Sequence, residues 1–494
     1  MDKLLSYIVR LIVWFSGFSK PLSRLGLCRY DEWCQGKRMK ILLVGYNGAR
    51  NTGADARVVA LIKQLDGTLG AENVEMTVMT LDKDNVEGYF PNHVHLWPFT
   101  TMFFWSLLRA ASQHHVAILC EGSTLTPTFA EALPVYFCEA AGIMRRQGKP
   151  CIAYGSEVGH LEGWLAKLSR DLCQETYFIV RTEASLKNLG ALGLRGHVGT
   201  DTAWPFKTSE GEKWAHYQLQ ADGWDGKQPL LGVAVINPFW WPIRSSLTRW
   251  AKVVLTGNHT GQYDKFYFFS DSMERREKFQ HYLSEIAQAV NRYQQEHNAF
   301  VAILGMEQLD EGACKRFEQL VEGPHQVYHS KNHDVFQMTG LLRQFSMLVT
   351  SRYHAAVLSM KRAIPLVAIS MDGRLDGVIQ ETELADHYLH HVDDADLGEH
   401  LTTSLHLADL SREKISNTIR EYQAHNEHRV NEMSQYFASW LKPRRSTHPC
   451  CPTISTWPTP PSYPRHLVCL PCSPLWPWPN ALQRLSQGIT NDGG

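Results

Sequence analysis

An arginine and a histidine two residues apart, in Ser351-Arg352-Tyr353-His354-Ala355, follow directly on a strand-forming run, Met347-Leu348-Val349-Thr350. A fixed cation beside a titratable imidazole suits catalysis on an anionic substrate. Arginine offers a planar fork for phosphate or carboxylate, and histidine exchanges a proton near neutral pH. An apolar helical pattern comes next (Ala356, Val357, Leu358, Met360), then a second apolar run from Ile364 to Ile369. The pair therefore stands at the carboxyl end of a buried strand, the edge at which open α/β sheets bind ligands.

Similar strand ends recur upstream. Lys40–Val44 reads as a strand opening onto Gly45-Tyr46-Asn47-Gly48-Ala49-Arg50-Asn51-Thr52-Gly53-Ala54-Asp55. Val58, Val59, Leu61, Ile62 and Leu65 then fall at helical spacing. Glycines in such a turn let backbone approach a ligand, and helix-end N–H groups favour anions. The spacing is not the dinucleotide fingerprint and lacks the Walker lysine, so a plain tight turn is the competing reading. Val116–Cys120 ends in Glu121-Gly122-Ser123, and Lys149–Gly155 ends beside Ser156-Glu157. Tyr177–Val180 ends in Arg181-Thr182-Glu183, giving Arg181 the same kind of terminus as Arg352.

Each of these residues also has a purely structural reading. Arg181 could pair with a nearby carboxylate, His354 could cap the following helix, and Asp201 could serve a turn. Glu121 and Glu157 could make structural hydrogen bonds.

The elements that must position these groups alternate strand with helix, which implies mostly parallel sheets with right-handed crossovers. The fold class is α/β, with two Rossmann-like lobes, parallel sheets and a cleft between them. The first lobe spans 39–207. The pattern lapses into polar residues over 206–227, read as a boundary, and a second lobe with the Arg-x-His box spans 228–401. A long amphipathic helix is expected over about 273–295, and a closing helix over 411–441 with a return across the first lobe. Phe239-Trp240-Trp241-Pro242 reads as packing between lobes, with sugar stacking as the alternative.

The chain has 494 residues and a net charge of -1, so length allows two or three domains. No global field points to nucleic acid or acidic lipid. Residues 1–38 form an apolar segment too short and too interrupted to span a bilayer. It is either an interfacial helix, with Leu4, Leu5, Ile8, Leu11, Ile12 and Phe15 inward and Ser6 and Arg10 outward, or an over-extended start, the preferred reading. The seven cysteines before the tail lack paired spacing and read as reduced core residues of a cytoplasmic protein. Residues 443–494, rich in Pro, Cys and Trp, lack periodicity and are read as disordered or as a frame-shifted translation. Cys469 and Cys472 have the separation of a metal half-site without a matching partner pair, so no metal is assigned.

Together these residues resemble the polysaccharide pyruvyl transferase family, over nearly all of 39–401. Gly45 to Asp55 is similar to its opening glycine-rich turn. Val180-Arg181-Thr182-Glu183-Ala184-Ser185-Leu186 resembles its V-R-D-x-x-S segment, Asp201-Thr202-Ala203-Trp204 its D-P-A-F stretch, and Ser351–Ala355 its R-x-H box. Ala54 separates Gly53 from Asp55, Glu121-Gly122-Ser123 stands in place of a glycine run, and Thr182 replaces an aspartate.

The resemblance implies a glycosyltransferase-B-like fold and pyruvyl transfer from phosphoenolpyruvate to hydroxyls of a glycan or glycolipid acceptor, without a cofactor and without nucleic acid. His354, Arg352 and Arg181 are then the expected catalytic residues. Arg181 and Arg352 would bracket the donor, and His354 as imidazolium would protonate its methylene carbon. Asn51, Gly53, Asp55, Glu121, Ser123 and Glu157 are expected to bind substrate, with Asp55, Glu121 or Glu157 as base. Peripheral membrane contact through residues 1–38 is a further expectation. The alternatives are a glycosyltransferase using a nucleotide sugar, and a non-catalytic relative that binds sugars or partners.

Overall fold

The computed structural model describes residues 2–99, 103–241, 244–245, 255–256, 267–268, 272–382 and 384–446. The tail reading, including Cys469 and Cys472, lies outside the described residues from 447 onward, as does Pro242.

Two parallel sheets organise the chain. The first contains β1 (Met39–Asn47), β2 (Val74–Thr80), β3 (Val94–Pro98), β4 (Val116–Leu119), β5 (Cys151–Ser156), β6 (Tyr177–Val180) and β7 (Arg195–Val198). Their spatial order is β3-β2-β1-β4-β5-β6-β7. The order reverses direction between β1 and β4, which opens a crevice at their carboxyl ends. β4, β5 and β6 are buried at every residue, as strands covered by helices on both faces require. β3 and β7 do not show in the hydrophobic pattern. They are the two edge strands, where one row of neighbours is missing and polar side chains such as His95 and Arg195 are tolerated.

The second sheet contains β8 (Leu230–Ala234), β11 (Phe300–Gly305), β12 (His325–His329), β13 (Met347–Thr350), β14 (Leu366–Ser370) and β15 (Leu389–His391), in the order β12-β11-β8-β13-β14-β15. A short antiparallel pair, β9 (Arg244–Ser245) with β10 (Tyr267–Phe268), lies between β8 and β11 in the chain. In this sheet the reversal falls between β8 and β13, so the end of β13 also borders a crevice.

The helices before β8 are α1 (Asp2–Ser16), α2 (Ser19–Arg24), α3 (Thr52–Leu69), α4 (Phe104–Gln113), α5 (Ala132–Arg146), α6 (Gly163–Leu172), α7 (Glu183–Ala191) and α8 (Ser209–Ala221). α8 occupies the stretch read as an element-free boundary. Only Gly211, Ala215 and Leu219 on it are buried, so its apolar stripe is too narrow to stand out from the polar residues around it. The α1 faces also differ from expectation. Val9, Ile12 and Val13 are buried, whereas Ile8, Leu11 and Phe15 are exposed. The helix turns this way because Gly142 on α5 leaves room for Val13, whose Cγ2 would lie 2.9 Å from an added Cβ.

The last helix, Arg412–Ser446, touches both lobes. Gln423 donates to the Trp204 carbonyl at 3.1 Å, Arg429 donates to the Gly199 carbonyl, and Phe437 meets Tyr154 with ring centroids 6.1 Å apart. Lys361 of the second lobe pairs with Glu427 on the same helix. Five of the seven described cysteines are buried, and all seven are free thiols.

Candidate active site

The two sheets present their carboxyl edges to one cavity of about 170 Å³. The first lobe contributes Tyr46, Asn51, Gly53, Glu121, Gly122, Ser123 and Arg181. The second contributes Trp241, Met306, Glu307, Arg352, Tyr353, His354 and Arg374. A wall of Leu81, Phe99, Phe103, Phe129, Leu133 and Tyr136 closes the remaining side. The cavity is thus charged at the sheet edges and aromatic beyond them.

Of the nine residues expected at the site, His354, Arg352, Arg181, Asn51, Gly53, Glu121 and Ser123 line this cavity, and Asp55 and Glu157 do not. Glu157 is turned onto Arg181, whose Nη2 donates to it. Asp55 is buried below the glycine-rich turn, where it accepts from the Gly48 backbone. Burial, with Glu121 and Glu307 nearby, pushes its pKa up to about 8, against the pull of the Gly48 N–H and Arg50.

The local sequence explains how each group is held. Asn51 caps α3 by accepting from the Ala54 N–H at 3.1 Å, the ordinary work of asparagine at a helix start. Gly53 lies against the imidazole, and an added Cβ would sit 2.0 Å from His354 Nδ1. Only glycine allows that approach. The α3 start also meets the second lobe directly, through a bond from the Thr52 N–H to the Met306 carbonyl at 2.9 Å. Glu121 accepts from its neighbouring backbone, including the Gly122 N–H at 2.7 Å. Burial raises its pKa, partly offset by Arg57 and by these N–H groups.

Asp201, which the sequence leaves open between a turn and chemistry, is the hub of the site. Its Oδ1 does serve a turn, accepting from the Ala203 N–H at 2.9 Å. Its Oδ2 meanwhile accepts from Arg57 Nη1 and from Arg181 Nη1 at 3.1 Å, and lies 3.6 Å from His354 Nε2. Burial alone would raise the Asp201 pKa, but Arg57, His354 and Arg181 hold it well below the usual carboxylate range. The opposite holds for His354, which burial pushes down to about 4 despite Asp201. In the unliganded protein this imidazole is therefore neutral at pH 7, not the imidazolium expected from sequence.

Both expected arginines already have carboxylate partners. Arg352 directs Nε to Asp310 Oδ2 at 3.0 Å and Nη1 to Glu307 Oε2 at 3.3 Å, and its Nη2 also pairs with Asp310. Arg181 holds Glu157 and Asp201, and its guanidinium lies 4.5 Å from the Tyr353 ring centroid. Arg374 is paired with Asp372 and stacks 4.3 Å from the Phe129 ring centroid. Three guanidinium groups thus border the cavity, each fixed in orientation by an acid behind it.

Sequence reasoning missed Arg57, Glu307, Asp310 and Arg374. Arg57 leaves one trace, a lone charge inside the apolar run Ala56–Ile62. Glu307 and Asp310 follow β11 at the edge that made Arg352 conspicuous after β13, and they close a capping box on the turn 308–310. Trp241 packs between the lobes, with its ring 4.8 Å from that of Phe129, and it also faces the cavity. His390, Asp394 and His400 bring possible metal donors within 4.8 Å of one another. They lie at β15, the turn that follows it and the helix Leu397–Leu410, outside the cavity lining.

Comparison with known proteins follows the same outline. A family model described as polysaccharide pyruvyl transferase matches residues 51–373. No curated protein matches significantly. A protein from Listeria monocytogenes assigned as UDP-N-acetylglucosamine 2-epimerase is 13% identical, with a TM-score of 0.50 over 82% of this chain and 96% of its own. The Neisseria meningitidis UDP-GlcNAc 2-epimerase, bound to UDP-GlcNAc, is 9% identical over 82% and 100%, with a TM-score of 0.49. The Escherichia coli ADP-heptose LPS heptosyltransferase II is 13% identical over 76% and 100%, with a TM-score of 0.40. At such identity the likeness to the Listeria protein concerns the fold alone, two parallel-sheet α/β domains.

Proposed function

Since this chain belongs to the polysaccharide pyruvyl transferase family, we propose that it moves a pyruvyl group from phosphoenolpyruvate to sugar hydroxyls of a glycan or glycolipid, releasing phosphate. The observation that carries this reading is the meeting of Arg181 and His354, from different lobes, at Asp201 beside the cavity that Arg352 also lines. A donor bearing both a phosphate and a carboxylate needs more than one guanidinium, and pairs of this kind gain from charge-assisted, directional bonds. Acids behind Arg181, Arg352 and Arg374 keep the forks from wandering, so orientation is set before the donor arrives.

His354 is proposed as the proton source. A donor with several negative charges in a buried site favours the imidazolium, so binding itself would load the proton that the free enzyme lacks. That proton passes to the methylene carbon, which becomes a methyl group while positive character grows at the central carbon. A sugar hydroxyl bonds there and gives its proton to a base. The bond from the central carbon to the phosphate oxygen then breaks, the base returning its proton to the departing phosphate. A second hydroxyl closes the ketal and gives its proton to His354, which restores the imidazolium. Glu121 is the favoured base because it faces the cavity and its raised pKa makes it more basic. Glu157 and Asp55 then act from behind, Glu157 by positioning Arg181. The reaction draws on no cofactor, and the proposed setting is cytoplasmic. A glycolipid acceptor would bring residues 1–38 to a membrane surface.

Phosphate release from phosphoenolpyruvate, dependent on an added glycan acceptor, is the direct assay. His354→Ala should lose roughly a hundredfold to ten-thousandfold in turnover while retaining donor binding. Nucleotide release from a sugar nucleotide, with no phosphate from phosphoenolpyruvate, would instead make it a glycosyltransferase. Full turnover by His354→Ala at saturating donor would remove the histidine from the chemistry.

A further inference from the structure

We infer that the outer face of α1, together with the first turn of α4, docks the protein on an anionic lipid bilayer. α1 is apolar on two sides. Val9, Ile12 and Val13 face inward, and Tyr7, Ile8, Leu11, Trp14, Phe15 and Phe18 form a second stripe at helical spacing that faces solvent. Leu11 is 64% and Trp14 54% exposed. α4 extends the stripe with Trp105, 58% exposed and edge-on to Phe15 at 6.3 Å. With Leu25 and Leu27, this region holds nine of the thirteen large exposed hydrophobic residues among the described ones. Scattered surface hydrophobics need no explanation, but a contiguous patch implies something that covers it.

Charge and chemistry select the occupant. The first 38 residues carry seven Lys or Arg against three Asp or Glu, in a chain whose net charge is -1. Arg24, Arg29 and Arg109 are exposed, Arg109 one turn along α4 from Trp105. Tryptophan, tyrosine and phenylalanine flanked by cations is the composition of helices that lie in the headgroup boundary. Among the described residues no helix is long and apolar enough to cross a membrane, so contact would be at the surface. α1 is held flat on the lobe by its inner face, which leaves a convex ridge and not a groove for a peptide.

The patch also adjoins the site. Phe103, which lines the cavity, and Trp105, which belongs to the exposed stripe, are two residues apart at one end of α4. Docking would present the aromatic wall of the cavity to a lipid-linked sugar. The lipid linkage rests on the pyruvyl-transfer reading, whereas the docking does not.

The test is sedimentation of the full chain with vesicles of phosphatidylglycerol and phosphatidylcholine in equal parts, and with phosphatidylcholine alone. The protein should sediment with the anionic vesicles, less with the neutral ones, and less as salt rises. Leu11→Ser/Trp14→Ser/Trp105→Ser changes only exposed positions and should keep its thermal midpoint while losing roughly tenfold or more of the binding, given the apolar area withdrawn. Absence of sedimentation, or equal sedimentation by the triple variant, overturns the proposal. So does light scattering that shows a dimer which the triple variant splits, because a second copy would then cover the patch. Vesicle binding is read without turnover, so failure of the pyruvylation assay leaves this result unaffected.

Discussion

At the scale of single residues, the site is a problem of buried charge. Asp201 separates two guanidinium groups, all three nearly without solvent, and touches an imidazole that is mostly buried. A buried ion pair contributes little over an apolar substitute, but removing one partner leaves the other charge uncompensated, at about 3–5 kcal/mol. Asp201→Asn should therefore destabilise the protein by an amount in that range, measured by urea unfolding, and weaken donor binding as Arg181 loses its anchor. A variant as stable as the parent would mean that Arg57 and Arg181 find other partners. The sequence marks Arg181, Arg352 and His354 because each follows a strand. It does not mark Glu307 and Asp310, which look like ordinary turn and capping residues and are in fact also that, and it marks Asp201 only as part of a motif, without its partners.

At the scale of elements, α3 deserves its glycine-rich entry for two separate reasons. Asn51 supplies the cap, a local matter that a sequence can show. Gly53 supplies clearance for His354, a side chain 301 positions further along the chain, which no local pattern can show. Gly53→Ala should push the imidazole away from Asp201, cost about 1–3 kcal/mol of stability as overpacking does, and lower turnover by more than that loss of stability explains. Equal turnover in the variant would mean that the imidazole tolerates displacement. Edge elements behave differently from central ones. β1, β4, β6 and β13 are legible as apolar runs because both faces are covered, whereas β3, β7 and α8 are half-exposed and blend into loop composition. The inner face of α1 departs in part from the expected one, keeping Ile12 but not Ile8, Leu11 and Phe15, for a related reason: a helix apolar on two sides gives periodicity no means of choosing, and Gly142 chooses.

At the scale of the whole molecule, burial of neutral histidines couples folding to pH. His114, His197, His329, His354 and His390 are all pushed down to about 4, in each case chiefly by burial. Unfolding restores values near 6.5, so below that pH the unfolded chain binds more protons than the folded one. Their contribution to stability is present above about pH 6.5 and is lost as pH falls towards 4. Urea midpoints should accordingly drop between pH 7 and pH 5, and more steeply than carboxylate titration alone would give over that span. A flat profile there would show that these imidazoles keep ordinary affinities in the folded state.

Apolar strand and helix patterns alternating along the chain by themselves determined the class of fold, the two series of parallel strands and the position of Arg181, Arg352 and His354 at strand ends, while the motifs around those strand ends carried the family resemblance. These follow from local chemistry: a strand buried on both faces must be apolar throughout, and its end must turn. Tertiary structure alone decided that the two arginines arrive already paired, that Glu157 and Asp55 stand behind the cavity wall, and that His354 rests neutral over Gly53. Each of those depends on how far a group is removed from water and which charge meets it there. Both are set by contacts between residues remote in sequence, about which spacing along the chain carries no information.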